Sequence, residues 1–79
     1  MMPELIIYGA DWCGDCRRSK RVLERLGIDY RWIDVEHDSE KADEARRLGG
    51  SRRIPVIVFP DQTVLVEPTD AELEKRLAG

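Results

Sequence analysis

Cys13 and Cys16 are the two cysteines of this 79-residue chain, with only Gly14 and Asp15 between them. Thiols three positions apart on a helix lie on neighbouring turns of one face and can close a disulfide with each other. Upstream, Glu4-Leu5-Ile6-Ile7-Tyr8 reads as a short strand and Gly9-Ala10-Asp11-Trp12 as the turn that follows it. Downstream, Arg17 to Leu26 carries Val22, Leu23 and Leu26 at helical spacing, with Cys16 and Ser19 on the same side. Cys13 is therefore expected at or near the first residue of a helix. Unpaired N–H groups and the positive helix end stabilise a thiolate there, and the thiolate is the form that attacks disulfides. The chemistry expected is thiol–disulfide exchange, with Cys13 as nucleophile and Cys16 closing the disulfide behind it.

Composition narrows the alternatives. Seventy-nine residues make one small domain, spanning 1–79. With 42% hydrophobic and 37% charged residues, the chain reads as globular. No apolar run approaches the ~20 residues of a membrane span. Met1-Met2-Pro3-Glu4 has no basic or apolar leader pattern, so the expected compartment is the cytoplasm. A disulfide closing so small a ring restricts the unfolded chain little, and in a reducing compartment such a pair reads as catalytic or metal-binding. A structural zinc site needs about four ligands; one CxxC and the distant His37 do not supply them in one chain, so no metal is expected. The competing metal reading is an iron–sulfur cluster shared by two chains. A net charge of −3 argues against nucleic-acid binding. The basic pairs Arg17-Arg18, Lys20-Arg21 and Arg46-Arg47 read as solvated helix faces.

The remaining elements follow from local signals. Gly27 stops the first helix, and Tyr30 to Val35 is a second strand by its β-branched and aromatic content. Asp38 or Ser39 caps a second helix to about Leu48, whose thin apolar side (Ala42, Ala45, Leu48) suggests a peripheral position. Gly49-Gly50-Ser51 reads as a loop. Ile54 to Phe59 is a near-continuous apolar run, the mark of a buried strand, and Pro60-Asp61-Gln62 turns it into a partner strand, Thr63 to Glu67. Thr69 and Glu72 form a capping box for a last helix, Asp70 to Ala78, with Leu73 and Leu77 on its apolar side. The expected architecture is an α/β fold in the order β-α-β-α-β-β-α, a four-stranded mixed sheet with three helices. Strands separated by helices are expected to pair in parallel, with the late hairpin adding an antiparallel edge.

These motifs, in this order, resemble the glutaredoxin branch of the thioredoxin fold, and most nearly the mycoredoxins. Trp12-Cys13-Gly14-Asp15-Cys16 follows the first strand and Ile33-Asp34-Val35-Glu36-His37 ends the second. Gly49-Gly50 precedes Arg53-Ile54-Pro55-Val56, and Pro68-Thr69-Asp70-Ala71-Glu72 opens the last helix. The resemblance implies that Ile54-Pro55 is a cis bond facing Cys13, and that Trp12, Gly14, Arg53, Ile54, Pro55, Thr69 and Asp70 bind substrate. Arg52 and Arg53 would meet the small thiol or the Cys13 thiolate. Trp12 is the expected wall of the cleft, with Tyr8 as a second candidate or a core residue. Trp32 is expected in the core or packed at the surface, and His37 in a surface role.

Two departures from the family pattern shape the functional expectation. Asp15 stands where mycoredoxin-like sequences often have an aromatic residue; in the first helical turn it favours the helix but opposes a neighbouring thiolate. Glu67-Pro68-Thr69-Asp70 replaces the Gly-Gly pair that usually receives glutathione, which favours another low-molecular-weight thiol. What the resemblance implies is a reductase of mixed disulfides between proteins and such a thiol, mycothiol first. No permanently bound cofactor is expected, and a disulfide reductase of the small thiol serves as an indirect partner of a monomeric chain. The alternative is a thioredoxin-like dithiol donor to a protein such as ribonucleotide reductase or a peroxidase.

Overall fold

Alternation along each strand sorts the side chains onto two faces of one sheet, in a computed structural model that describes residues 4–78. Met1–Pro3, on which the reading of no leader rests, and Gly79 lie outside the described residues. Strand β1 (Leu5–Gly9) sends Leu5 and Ile7 to one face, and Ile6 and Tyr8 to the other. Helices α1 (Gly14–Arg25) and α3 (Asp70–Ala78) cover the first face, where Val22, Leu23 and Leu73 pack with Leu5, Ile7, Ile57 and Phe59. Helix α2 (Ser39–Gly49) covers the second, with Ala45 against Tyr8, Val56 and Val58. Each fully buried Leu, Ile or Phe contributes ~1.5–3 kcal/mol relative to exposure, so most of the fold's stability lies under α1 and α3.

The element order matches the sequence reading, and the sheet runs β2 (Tyr30–Asp34), β1, β3 (Val56–Val58), β4 (Val64–Val66). One pairing differs from expectation. β1 and β2 are parallel, but β3 is antiparallel to β1 as well as to β4. The cause is the direction of α2. Its eleven residues span about 16 Å, enough to cross the ~10 Å between the outer two of three neighbouring strands. It packs on β1, β3 and β4, and its last residue, Gly49, lies against Val56 and Val66. The helix thus crosses the strands rather than running back along them. The chain enters β3 beside Tyr8, near the end of β1 where it left β2, so β3 must run the other way.

Helix ends follow the expected chemistry. Asp38 caps α2 by accepting from Lys41 N, and Gly50 closes it at φ 75°. Thr69 and Glu72 exchange both hydrogen bonds of a capping box, at 2.8 and 3.1 Å. Leu26, expected in the buried stripe of α1, is instead its exposed C-cap, because Gly27 at φ 70° turns the chain away immediately after it. Leu48 is likewise exposed, leaving Ala45 as the buried anchor of α2. β3 is shorter than the apolar run: Pro55 has no N–H to donate, and pairing begins at Val56.

Gly9, expected in the turn, is the last residue of β1 and meets a close approach there. A Cβ there would lie 2.6 Å from the Cys16 Sγ and 2.8 Å from the Trp32 ring. Both neighbours are held in place, Cys16 fully buried and Trp32 packed against the core with the Lys20 Nζ 4.2 Å over its ring. Gly9→Ala is expected to cost about 1–3 kcal/mol through overpacking, read as a lowered urea midpoint of the reduced protein. A midpoint equal to wild type would mean that the indole yields freely.

Candidate active site

Cys13 is the N-cap of α1, extended at φ −82° and ψ 115°, and its Sγ accepts the Cys16 N–H at 3.2 Å. The turn before it is tied by Cys13 N to the Ala10 carbonyl at 3.1 Å and by Arg17 Nε to the Asp11 carbonyl at 3.0 Å. An N–H aimed at the sulfur and the N-terminal end of a twelve-residue helix both stabilise negative charge on that atom. Across from it, the Ile54 carbonyl lies 3.9 Å from Sγ and takes the thiol proton in a weak contact. The Ile54-Pro55 bond is cis. The expected juxtaposition of cysteine and cis-proline is therefore present.

Cys16 sits behind. It is fully buried, whereas Cys13 keeps 7% exposure at the cleft, so an external disulfide meets Cys13 first. Burial, and then the hydrogen bond with Cys13, push the Cys16 thiol well above its ordinary range. A thiol raised in this way is held in its protonated form near neutral pH. Both cysteines are free thiols in this structure.

The cleft in front of Cys13 has a volume of about 410 Å³. Trp12, Gly14 and Asp15 form one wall; Arg52, Arg53, Ile54 and Glu67 form the other. No Cβ neighbour limits Gly14, so the loop beside the sulfur is slim on the solvent side. The Asp15 carboxylate pairs with Arg18 on the outer surface of α1, which partly neutralises the charge expected to oppose the Cys13 thiolate. Arg53 Nη1 is 4.0 Å from Glu67 Oε2, a long, exposed contact. Pro55 is buried beneath the cleft and supplies its geometry rather than its lining.

Other expected site residues fall elsewhere. Thr69 and Asp70 do not line the cleft; the Thr69 N–H and hydroxyl are both bonded to Glu72. Tyr8 is a core residue under α2, its phenol pushed up by burial and then by a hydrogen bond with Glu44. His37 is at the surface, where the bond to Asp34 at 2.8 Å raises the imidazole and lowers the carboxyl. Two contributors had no signal in sequence. Glu36 accepts from Trp12 Nε1 at 2.9 Å and so fixes the exposed indole. Glu67 reaches the cleft because its backbone takes φ 46°, unusual for a residue with a Cβ. Among the described residues no three His, Cys, Asp or Glu side chains converge as metal ligands, and no helix is long and apolar enough to cross a membrane.

Comparison with known proteins agrees with this geometry. The glutaredoxin family profile matches residues 5–64. The chain belongs to the glutaredoxin family. A protein of Mycobacterium tuberculosis named as a glutaredoxin is 35% identical over 74 residues, covering 92% of this chain and 88% of its own. The glutaredoxin-like protein NrdH of Escherichia coli is 37% identical over 57 residues, or 72% of this chain and 69% of that one. Among solved structures, a glutaredoxin of Archaeoglobus fulgidus superposes with a TM-score of 0.85 at 25% identity, over 99% of this chain and 89% of that one. NrdH-redoxin of Escherichia coli gives 0.80 at 26%, over 92% and 93%. This glutaredoxin is accordingly a thiol–disulfide oxidoreductase with the fold expected from its motif order.

The unequal exposure of its two sulfurs sets a test. Limiting iodoacetamide at neutral pH is expected to label Cys13 at least about ten-fold faster than Cys16, as peptide mapping by mass spectrometry reads. Equal labelling would show that the interior of α1 opens readily and that Cys16 is not sequestered.

Proposed function

We propose that this glutaredoxin reduces mixed disulfides between proteins and a low-molecular-weight thiol, with mycothiol as the first candidate. The observation that carries the reading is that only the Cys13 sulfur opens onto a cleft of small-molecule size, while Cys16 is sealed behind it. The Cys13 thiolate attacks the sulfur of the small thiol, and the protein thiolate leaves carrying the electron pair of the broken bond. Cys13 then holds the small thiol as a mixed disulfide. A second small thiolate attacks that adduct, forms the symmetric disulfide and restores Cys13. An NADPH-dependent reductase of that disulfide supplies the two electrons of each cycle. Cys16 offers an alternative release: it loses its proton as it attacks the Cys13 sulfur, the bond from Cys13 to the small thiol breaks, and the small thiol leaves with that electron pair while an internal disulfide forms. The protein acts in this reading as a cytoplasmic monomer without a permanently bound cofactor.

Support for a thiol other than glutathione comes from the start of α3. The Thr69 N–H, a donor a tripeptide would need, is already given to the Glu72 carboxylate, and the Thr69 hydroxyl oxygen accepts from the Glu72 N–H. Glu67 and Pro68 stand where a Gly-Gly pair would leave the backbone open. The second reading, a dithiol donor to a protein target, draws on the likeness to NrdH-redoxin, whose structure is described as having a thioredoxin-like activity profile. An iron–sulfur cluster would require ligands from a second chain, since Cys13 and Cys16 are the only cysteines here.

Replacing Cys16 with serine separates the two main readings. Turnover of a mycothiol mixed disulfide, coupled to mycothiol, its reductase and NADPH, is expected to stay within about three-fold of wild type in Cys16→Ser and to vanish in Cys13→Ser. Loss of all activity in Cys16→Ser, with turnover supported by thioredoxin reductase instead, would establish the dithiol-donor reading.

A further inference from the structure

Among the residues lining the cleft in front of Cys13, Glu67 alone combines a Cβ with a positive φ, at 46°. Residues with a Cβ seldom enter that region, and a residue before proline is normally held extended. Two flanking constraints keep Glu67 there. Its N–H donates to the Pro55 carbonyl at 2.9 Å, one rung beyond the Val56–Val66 pair, and Pro68 after it is buried. A strained conformation persists only where its surroundings impose it, and such positions gather at binding sites. The anchored backbone keeps the Glu67 side chain on the cleft wall.

The charges around this cleft are not equivalent. Asp15 and Glu67 supply carboxylates, and Arg52 and Arg53 guanidinium groups. Asp15 is paired with Arg18 on the outer surface of α1. Glu67 has no such close partner among the described residues: its Oε2 is 4.0 Å from Arg53 Nη1, beyond hydrogen-bonding range. The Glu67 side chain is 37% exposed and that of Arg53 73%, so the carboxylate is the more enclosed of the two. A ligand carboxylate that reaches for Arg53 therefore comes alongside Glu67. Like charges about 4–6 Å apart in water oppose each other by roughly three- to five-fold in an equilibrium constant. Hydroxyl and ammonium groups meet no such opposition and can donate to the Glu67 carboxylate.

We propose that Glu67 is a specificity-determining residue that selects small thiols without a carboxylate. Its charge sets the substrate class of the cleft: hydroxyl-bearing or amine-bearing thiols exchange with Cys13, and carboxylate-bearing ones are disfavoured. Glutathione, which ends in a carboxylate on either side, falls in the disfavoured class. The inference deepens the proposed function and rests on Cys13 meeting a small thiol in this cleft.

The test uses cysteamine, 2-mercaptoethanol and 3-mercaptopropionate, each carried as a 2-thiopyridyl mixed disulfide, in a Cys16→Ser background. The Cys13 thiolate attacks the aliphatic sulfur, the S–S bond breaks, and 2-thiopyridone leaves with its electron pair and is read by absorbance. Each rate is divided by that of the same probe with free 2-mercaptoethanol, which removes intrinsic differences in reactivity. At an ionic strength of ~0.01 M, the cysteamine probe is expected to outrun the 3-mercaptopropionate probe by about five-fold, with the neutral probe between them. At ~1 M salt that preference should shrink toward one. Glu67→Gln is expected to lower it at least about three-fold, while Glu67→Asp, which keeps the charge, holds it within about two-fold of the parent. Glu40→Gln, which removes an exposed α2 carboxylate outside the cleft, is expected to leave the ratio unchanged. A ratio near one in the parent protein, or one that Glu67→Gln does not move, overturns the proposal. So does a ratio that falls as far in Glu67→Asp or Glu40→Gln, which would indicate packing or net charge instead. The proposed function has its own readout, the release of each adduct by a second small thiol, followed by mass spectrometry. Adducts that form with the expected charge preference but resist every free thiol would overturn the reductase reading and leave selection by Glu67 standing. Reaction with none of the probes would overturn both.

Discussion

One hydrogen bond, from the Cys16 N–H to the Cys13 sulfur, joins the start of a helix to the chemistry of the site. An N-cap is normally filled by a hydroxyl or a carboxylate; here the capping atom is a thiol sulfur at the mouth of the cleft. The helix therefore has to begin at this point of the chain, and the turn from Gly9 to Trp12 has to deliver Cys13 in an extended conformation. The same bond places Cys16 one turn deeper, where burial keeps its proton on. Two identical side chains acquire different reactivity from three residues of helix.

The opposite wall depends on a different constraint. Because α2 crosses the sheet, β3 runs antiparallel to β1 and its N-terminal approach comes up beside Cys13. Had α2 run along the strands, β3 would have entered from the far end and Ile54-Pro55 would stand a strand length from the thiols. The Ile54-Pro55 segment and the start of α1 thus meet because of how one peripheral helix is laid down. That helix is anchored by little more than Ala45 and by Gly49 lying close to Val56 and Val66.

What the sequence disclosed follows a physical divide. Short-range signals were legible: the CxxC at a strand-to-helix turn, the Thr69–Glu72 box, the glycine stop at 27, and the apolar run around Val56–Val58. The motif order carried the fold, and the Ile54-Pro55 pair carried the cis bond. Long-range geometry was not legible. The direction of α2 is set by packing against three strands, not by anything in Ser39–Gly49, so the pairing of β3 was misjudged. Glu36 and Glu67 enter the site through a hydrogen bond across 24 positions and through an uncommon backbone angle. Neither leaves a pattern in the residues around it. Thr69 and Asp70 enter the sequence reading through family likeness, and in the structure Thr69 forms the capping box of α3 with Glu72.

Gly9, Cys16 and Trp32 behave as one steric unit, drawn from a strand, a helix and a second strand. A side chain at position 9 has no room unless position 32 gives up part of its indole or position 16 gives up its sulfur. Substitutions at these three places are therefore not independent. A larger residue at 9 needs a smaller one at 32 if the second thiol is to be kept. The redox pair is protected from gradual change by a volume constraint two strands wide, held at a residue that does no chemistry itself.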